Sequence, residues 1–127
     1  MGSPESHYSL VSYLADITGT TVYVPDYRLG PEYKYPAQLE DGVKTYKALI
    51  EDHGYSPNQI SIGGDSAGGN LALITLLKLK ECEIGLPSSV ALLSPWADPS
   101  GSGKSYTKDK ADKDNLLGPI MKKIWEN

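Results

Sequence analysis

One serine stands between two glycines in residues 60–70, and this spacing is typical of a serine that does nucleophilic chemistry. Gly64, Ser66 and Gly68 form the pattern Gly-x-Ser-x-Gly, in which the serine hydroxyl attacks a carbonyl carbon and becomes acylated. The hydroxyl is exposed to substrate when the serine lies on a sharp turn from a strand into a helix. Glycines beside it let the strand and the helix approach closely. The pattern therefore predicts Ser66 as a nucleophile.

The backbone after the serine is the second chemical feature of this turn. A helix that begins near Ala67 has unpaired N–H groups and the positive end of its dipole there, so the N–H of Ala67 would face an oxyanion that develops on an attacked carbonyl. A simpler alternative is a glycine-rich turn in which Asp65 or Ser66 only caps the helix. The local pattern favours the nucleophile, because it predicts a strand at 60–63 and a helix at 67–80.

Hydrophobic spacing places this turn within an alternation of helices and strands. Short apolar strands between helices are typical of an α/β fold, so we expect a parallel sheet flanked by helices. In chain order, the predicted elements are a helix from Ser3 to Gly19, a strand at 21–24, a loop at 25–36, a helix from Pro36 to Gly54, a strand at 60–63, a helix at 67–80, a strand at 90–93, a loop at 95–115 and a helix at 117–125.

Composition argues against several other classes of protein. The 127 residues amount to one domain or less, and their formal net charge of −4 argues against nucleic acid as a partner. The single cysteine excludes an intrachain disulfide, and one cysteine with two histidines cannot build a four-ligand zinc site. No apolar run approaches the roughly 20 residues that a membrane span needs. The start of the chain does not read as a signal peptide, so a cytoplasmic location is favoured.

Three motifs match a known family. The run GDSAGGN at 64–70, with DYRLGPE before it and LLSPWAD after it, resembles the hormone-sensitive-lipase-like esterases of the α/β-hydrolase superfamily. The motifs stand in the family's order and at about its spacing. The resemblance implies that Ser66 is the acylated nucleophile, that the N–H of Ala67 is an oxyanion donor, and that Asp65 is a structural or pocket-shaping acid. The residues that match the family's nucleophile turn are Gly64, Asp65, Gly68 and Gly69.

The resemblance also covers the segments on either side of this turn. Asp26 and Arg28 match a motif that braces the loops by an ion pair. Ser94, Pro95 and Trp96 match the turn after the next strand, where the resemblance implies that Trp96 borders the substrate pocket.

Other parts of the family's site match nothing in this chain. The resemblance places the oxyanion loop of the HGGG type before Gly2, and the triad acid and histidine beyond residue 119. Residues 1–127 are therefore expected to form a single partial α/β-hydrolase domain. The histidines present, His7 and His53, match positions that are not catalytic in the family, so we expect both to be structural.

The resemblance also implies a gap in the sheet, between the strands expected at 21–24 and 60–63. Unpaired N–H and C=O groups would line this gap, because the family's intervening strand has no counterpart here. We expect the two strands either to pair directly or to leave the gap to a second segment.

Together these features predict a serine carboxylic-ester hydrolase that forms an acyl-enzyme on Ser66 with a small-molecule ester, without a metal or cofactor. Because no base is matched, we expect turnover by the 127 residues alone to be near background. The alternative is a non-catalytic binding or interaction module of the same fold. A run at 101–105 resembles the end of a P-loop, but Asp98 stands where that motif needs glycine, which argues against a nucleotide site.

Overall fold

The structure, a computed structural model, describes residues 3–98, 100, 102, 103, 112, 113 and 119. The chain forms two compact units, Met1–Pro95 and Trp96–Asn127. The first unit contains the Ser66 turn and every element named below. The helix predicted at 117–125, apart from residue 119, and most of the run at 101–105 lie outside the described residues. The single partial domain stays a prediction.

Helices and strands follow one another in the first unit much as the hydrophobic pattern predicts. The elements are α1 (Pro4–Thr18), α2 (Ala37–Glu51), a short 3₁₀ turn (Pro57–Gln59), β1 (Ser61–Asp65), α3 (Ser66–Glu81) and β2 (Ser89–Leu93). Because β1 ends at Asp65 and α3 begins at Ser66, no loop residue connects this strand to its helix.

Local signals set both ends of α1, and they confirm the predicted helix. The hydroxyl of Ser3 accepts a hydrogen bond from the N–H of Ser6 at 3.3 Å, and the hydroxyl of Ser6 accepts one from the N–H of Ser3 at 2.8 Å. Gly19 follows the helix with φ 62°, in the left-handed region that glycine adopts without a steric penalty.

The two strands form a parallel pair, which confirms the predicted α/β class. Asp65 lies beside Leu93 in the register, and α3 makes the crossover from β1 to β2. The carboxyl ends of parallel strands lie at the same edge of a sheet. Ser66 and Ser94, the residues that follow the two strands, are therefore at one edge, where open α/β sheets place their ligands.

The core lies where α2, α3 and β1 meet. Tyr46 is 2% exposed and Leu79 is fully buried, and Ile60 completes the cluster. The Tyr46 hydroxyl donates to the carbonyl oxygen of Gly85 at 2.7 Å, which satisfies a polar group that burial would otherwise leave costly. The opposite side of α3 is open, since Leu77 is 67% exposed. This core fixes β1 and α3, and therefore the junction between them.

The strand predicted at 21–24 is absent, and this prediction is wrong. Residues 21–29 belong to neither a helix nor a strand, and Val22, Tyr23 and Val24 are exposed. A β-branched run becomes a strand only when a neighbour supplies partners for its N–H and C=O groups, and β1 pairs with β2 alone among the described strands. The gap expected in the sheet is therefore not closed by direct pairing.

Candidate active site

Ser66 is the residue at which strand becomes helix, and its backbone is strained. Its φ is 49°, in the left-handed region that costs a non-glycine residue roughly 1–2 kcal/mol. Such strain persists only where the surrounding structure fixes it. The residue is exposed, and its hydroxyl has no hydrogen-bond partner within residues 3–98. The turn therefore presents the hydroxyl to solvent, in the geometry expected of the sequence pattern.

Gly64 is required because the first turn of α3 crosses directly over it. A Cβ on this residue would lie 2.3 Å from the carbonyl oxygen of Gly68 and 2.7 Å from the nitrogen of Gly69. Both are backbone atoms, so no change of rotamer could relieve the contact. The close approach of strand and helix thus excludes every side chain at position 64.

The other two glycines of the turn differ from each other. A Cβ on Gly69 would lie 2.8 Å from the Cβ of Pro95, so this glycine lets α3 pack against the turn after β2. A Cβ on Gly68 would meet nothing closer than Oδ1 of Asp65 at 3.9 Å among the described residues. A side chain at Gly68 was expected to collide with the strand, and the structure shows no such collision. The carbonyl of Gly68, and not its Cα hydrogens, faces Gly64.

Asp65 occupies the N-cap position of α3 but does not cap the helix. Its backbone is extended, and its carboxylate accepts no hydrogen bond from the first turn. Oδ1 lies instead 3.3 Å from Nε2 of His7 in α1. Burial, and secondly the charge of Asp65, raise the pKa of Tyr27, so that ring lies within the field of the same carboxylate. The simple capped-turn alternative therefore lacks its cap.

The two histidines have different environments, and neither contacts the Ser66 hydroxyl. Nδ1 of His7 lies 2.9 Å from the hydroxyl of Ser6 and 3.2 Å from the carbonyl oxygen of Ser3, so both ring nitrogens of His7 have neighbours other than Ser66. His53 packs its ring 5.4 Å from that of Tyr23. Sequence reasoning missed the position of His7 beside the nucleophile turn, because no local pattern links α1 to β1.

The turn after β2 repeats part of this geometry. Ser94 has φ 44° and is exposed, and Pro95 follows it. Trp96 begins the second unit, and its expected place at the border of the pocket stays a prediction.

The ion pair expected of the DYRLGPE motif is present, but its partners lie on α2. The Arg28 guanidinium donates to both carboxylate oxygens of Asp41 at 2.8–3.1 Å and to Glu40 at 3.0 Å. These bonds hold the pKa of Asp41 below its usual value. Asp26, the other residue of the motif, is exposed and makes no ion pair with Arg28. Arg28 instead fastens the loop to α2.

Within the described residues no three side chains are grouped as metal ligands. No helix in that part of the chain has both the length and the apolar character needed to cross a membrane.

Comparison with known proteins agrees with the parallel strands and the helix that connects them. A family model described as an alpha/beta hydrolase fold matches residues 1–127. This chain belongs to the alpha/beta-hydrolase family. Its solved relatives include an esterase from the bacterial hormone-sensitive lipase family, 41% identical with a TM-score of 0.82, of which the match covers 38% and 90% of this chain. The α/β-hydrolase fold and the resemblance to hormone-sensitive-lipase-like esterases are thus confirmed.

Curated relatives of this alpha/beta hydrolase have esterase names. An acetyl-hydrolase of Streptomyces hygroscopicus is 41% identical over 111 residues, which cover 87% of this chain and 37% of that protein. An esterase of Acinetobacter venetianus is 40% identical over 98 residues, which cover 77% of this chain and 32% of that protein. The chain therefore spans about a third of the length of these relatives.

Proposed function

We propose that this alpha/beta hydrolase is a serine carboxylic-ester hydrolase in which Ser66 is the nucleophile. One observation carries the proposal: Ser66 is held at φ 49° between the last residue of β1 and the first turn of α3. An exposed serine that is followed directly by the first turn of a helix has the geometry of a nucleophile, because the helix supplies N–H groups for the oxyanion. The acetyl-hydrolase and esterase names of the relatives support an ester as the substrate class.

The reaction is an acyl transfer in two steps. The Ser66 oxygen attacks the ester carbonyl while a base takes its proton, and the N–H of Ala67 faces the oxyanion of the tetrahedral intermediate. The alcohol leaves with a proton, and water then releases the carboxylic acid from the acyl-enzyme. Neither described histidine contacts Ser66, so we expect the 127 residues alone to hydrolyse a short-chain aryl ester at close to the buffer rate. Gly64, Asp65, Gly68 and Gly69 shape the turn.

Covalent labelling tests the nucleophile without requiring turnover. The 127-residue chain is incubated with a fluorophosphonate probe, and the labelled peptide is mapped by mass spectrometry. Because neither described histidine contacts the hydroxyl, we expect one adduct that forms slowly on Ser66. It should be lost in Ser66→Ala and retained in Ser94→Ala, which changes the other strained serine of the same edge. Circular dichroism confirms that each variant is folded. No adduct on a folded chain, or an adduct that survives in Ser66→Ala, would contradict the proposal and favour a non-catalytic binding module.

A further inference from the structure

The start of α1 meets the nucleophile turn through the side chain of His7. Nε2 of this ring lies 3.3 Å from Oδ1 of Asp65, the residue before Ser66. No residue of α1 (Pro4–Thr18) is buried, so apolar packing does little to hold this helix against the rest of the unit. The contact between His7 and Asp65 is therefore important for the attachment of α1 at the edge of the sheet.

Both ring nitrogens of His7 face oxygen atoms that can only accept a hydrogen bond. Nε2 faces the Asp65 carboxylate, and Nδ1 lies 3.2 Å from the carbonyl oxygen of Ser3. Each contact is attractive only when the ring nitrogen carries a proton. The Ser6 hydroxyl also lies 2.9 Å from Nδ1, but its one hydrogen is donated to the Ser3 carbonyl at 2.9 Å. The surroundings of the ring therefore fit the imidazolium form, which has a proton on each nitrogen.

Loss of one proton removes part of this arrangement in either tautomer of the neutral ring. With the remaining hydrogen on Nδ1, the lone pairs of Nε2 and of the Asp65 carboxylate face each other and repel. With the hydrogen on Nε2, the bond to Asp65 persists but has no charged donor, which makes it weaker. Nδ1 then needs the hydrogen of Ser6, and the Ser3 carbonyl loses it. Deprotonation of His7 therefore weakens its contact with Asp65 in both tautomers.

We propose that His7 and Asp65 form a pH-sensitive clasp, which holds the start of α1 against the nucleophile turn when the imidazole is protonated and loosens when it loses that proton. Histidine ordinarily changes its charge between pH 5 and 8. Because the protonated ring gains a partner in the folded chain, this stabilisation is present at low pH and is lost as pH rises through that range. The clasp goes beyond the proposed function and does not depend on reaction at Ser66.

Two other ionisable groups lie near the clasp, and neither changes its charge in this range. Glu5 is in the first turn of α1, and its hydrogen bond with Ser3 holds the pKa of Glu5 below the usual value. Tyr27 lies within the field of Asp65, and burial raises the pKa of its phenol. Glu5 is therefore ionised and Tyr27 neutral from pH 5 to 8, which leaves His7 as the group that titrates.

Hydrogen exchange measured by NMR tests the clasp in the 127-residue chain. We expect the protection factors of amides 8–15 in α1 to fall about threefold from pH 5.5 to 8.0, once the pH dependence of intrinsic exchange is removed. The fall is small because the side chains of His7 and Asp65 are 38% and 48% exposed, and ion pairs at such positions contribute little. Amides in α3, which the buried Leu79 anchors, provide the internal reference.

Three variants assign the fall to this pair of side chains. His7→Gln can still donate to Asp65 but cannot change its charge, so protection of α1 should be the same at both pH values. Asp65→Asn should also abolish the fall, because the imidazolium loses its charged partner. His53→Gln, the matched histidine control, should retain it, since the His53 ring packs against Tyr23. A fall that persists in His7→Gln, or equal protection of α1 at both pH values in the wild-type chain, would overturn the proposal.

Discussion

Two serine turns lie at the same edge of the sheet, and they share more than their position. Ser66 follows β1 and Ser94 follows β2, both side chains are exposed, and both backbones are left-handed, with φ 49° and 44°. Backbone strain and exposure therefore do not by themselves distinguish a nucleophile from any other serine at this edge.

The residue after each serine makes the difference. Ala67 follows Ser66 and carries one of the unpaired N–H groups at the start of α3. Pro95 follows Ser94 and has no N–H. An oxyanion beside Ser94 would meet no adjacent backbone donor, while one beside Ser66 would meet a donor and the positive end of a helix. The helix after Ser66, more than the strain of the serine itself, therefore gives this turn the means to stabilise an oxyanion.

The largest effect is expected where the helix crosses the strand. Gly64→Ala should lower the free energy of unfolding by about 3 kcal/mol, because its Cβ would lie 2.3 Å from the Gly68 carbonyl oxygen. Gly68→Ala is the matched control, and we expect it to be neutral or stabilising by up to about 1 kcal/mol, as alanine replaces glycine in a helix. Urea unfolding measures both. Equal destabilisation by the two substitutions would show that the crossing does not fix the Ser66 turn.

The next largest loss of stability is expected where the two turns contact each other. Gly69→Ala places a Cβ 2.8 Å from the Cβ of Pro95 and 2.9 Å from its Cα, and we expect a loss of about 2 kcal/mol. The loss is smaller than at Gly64, because the nearest atoms lie 2.8 and 2.9 Å from the added Cβ and not 2.3 Å. Urea midpoints compared with those of Gly68→Ala measure it, and a neutral Gly69→Ala would mean that the turns are not packed together.

Substitution of either strained serine by glycine should have the same effect on stability but a different effect on labelling. Ser66→Gly and Ser94→Gly each relieve a left-handed backbone, and each should raise the free energy of unfolding by about 0.5–1 kcal/mol after the entropy cost of glycine. Thermal unfolding should show this equal gain, while fluorophosphonate labelling should vanish only in Ser66→Gly. Loss of labelling in Ser94→Gly as well would break the distinction between the turns.

The smallest effect is expected away from both turns, at the ion pair that fastens the loop to α2. Hydrogen bonds from Arg28 lower the pKa of Asp41 from 3.8, so the ionised carboxylate stabilises the fold above about pH 4, and this contribution is lost as pH falls through the lower folded-state value. Asp41→Asn should lower the melting temperature by a few degrees at pH 7 and by progressively less below pH 4. A difference that stays constant down to pH 2, or any loss of Ser66 labelling at pH 7, would contradict this assignment.

The sequence predicts most of the first unit because most of its signals are local. Ser3 and Gly19 mark the ends of α1, and the apolar runs mark both strands of the sheet to within about two residues. The strand predicted at 21–24 fails for the opposite reason, since a strand needs a partner from elsewhere in the chain and the described residues provide none. The contact between Arg28 and Asp41 could not be predicted from the sequence either, because no local pattern near Asp41 indicates it. It depends on where α2 lies relative to the loop.

By itself, the sequence determined the chemistry and its local setting: a serine between glycines, a strand before it and a helix after it. These follow from side-chain size and backbone freedom, which act over a few residues. Only the tertiary structure decided that Gly64 is indispensable and Gly68 is not, that Ser94 shares the strain of Ser66, and that His7 meets Asp65. Each of these depends on distances between segments far apart in the chain, and no local pattern encodes such distances.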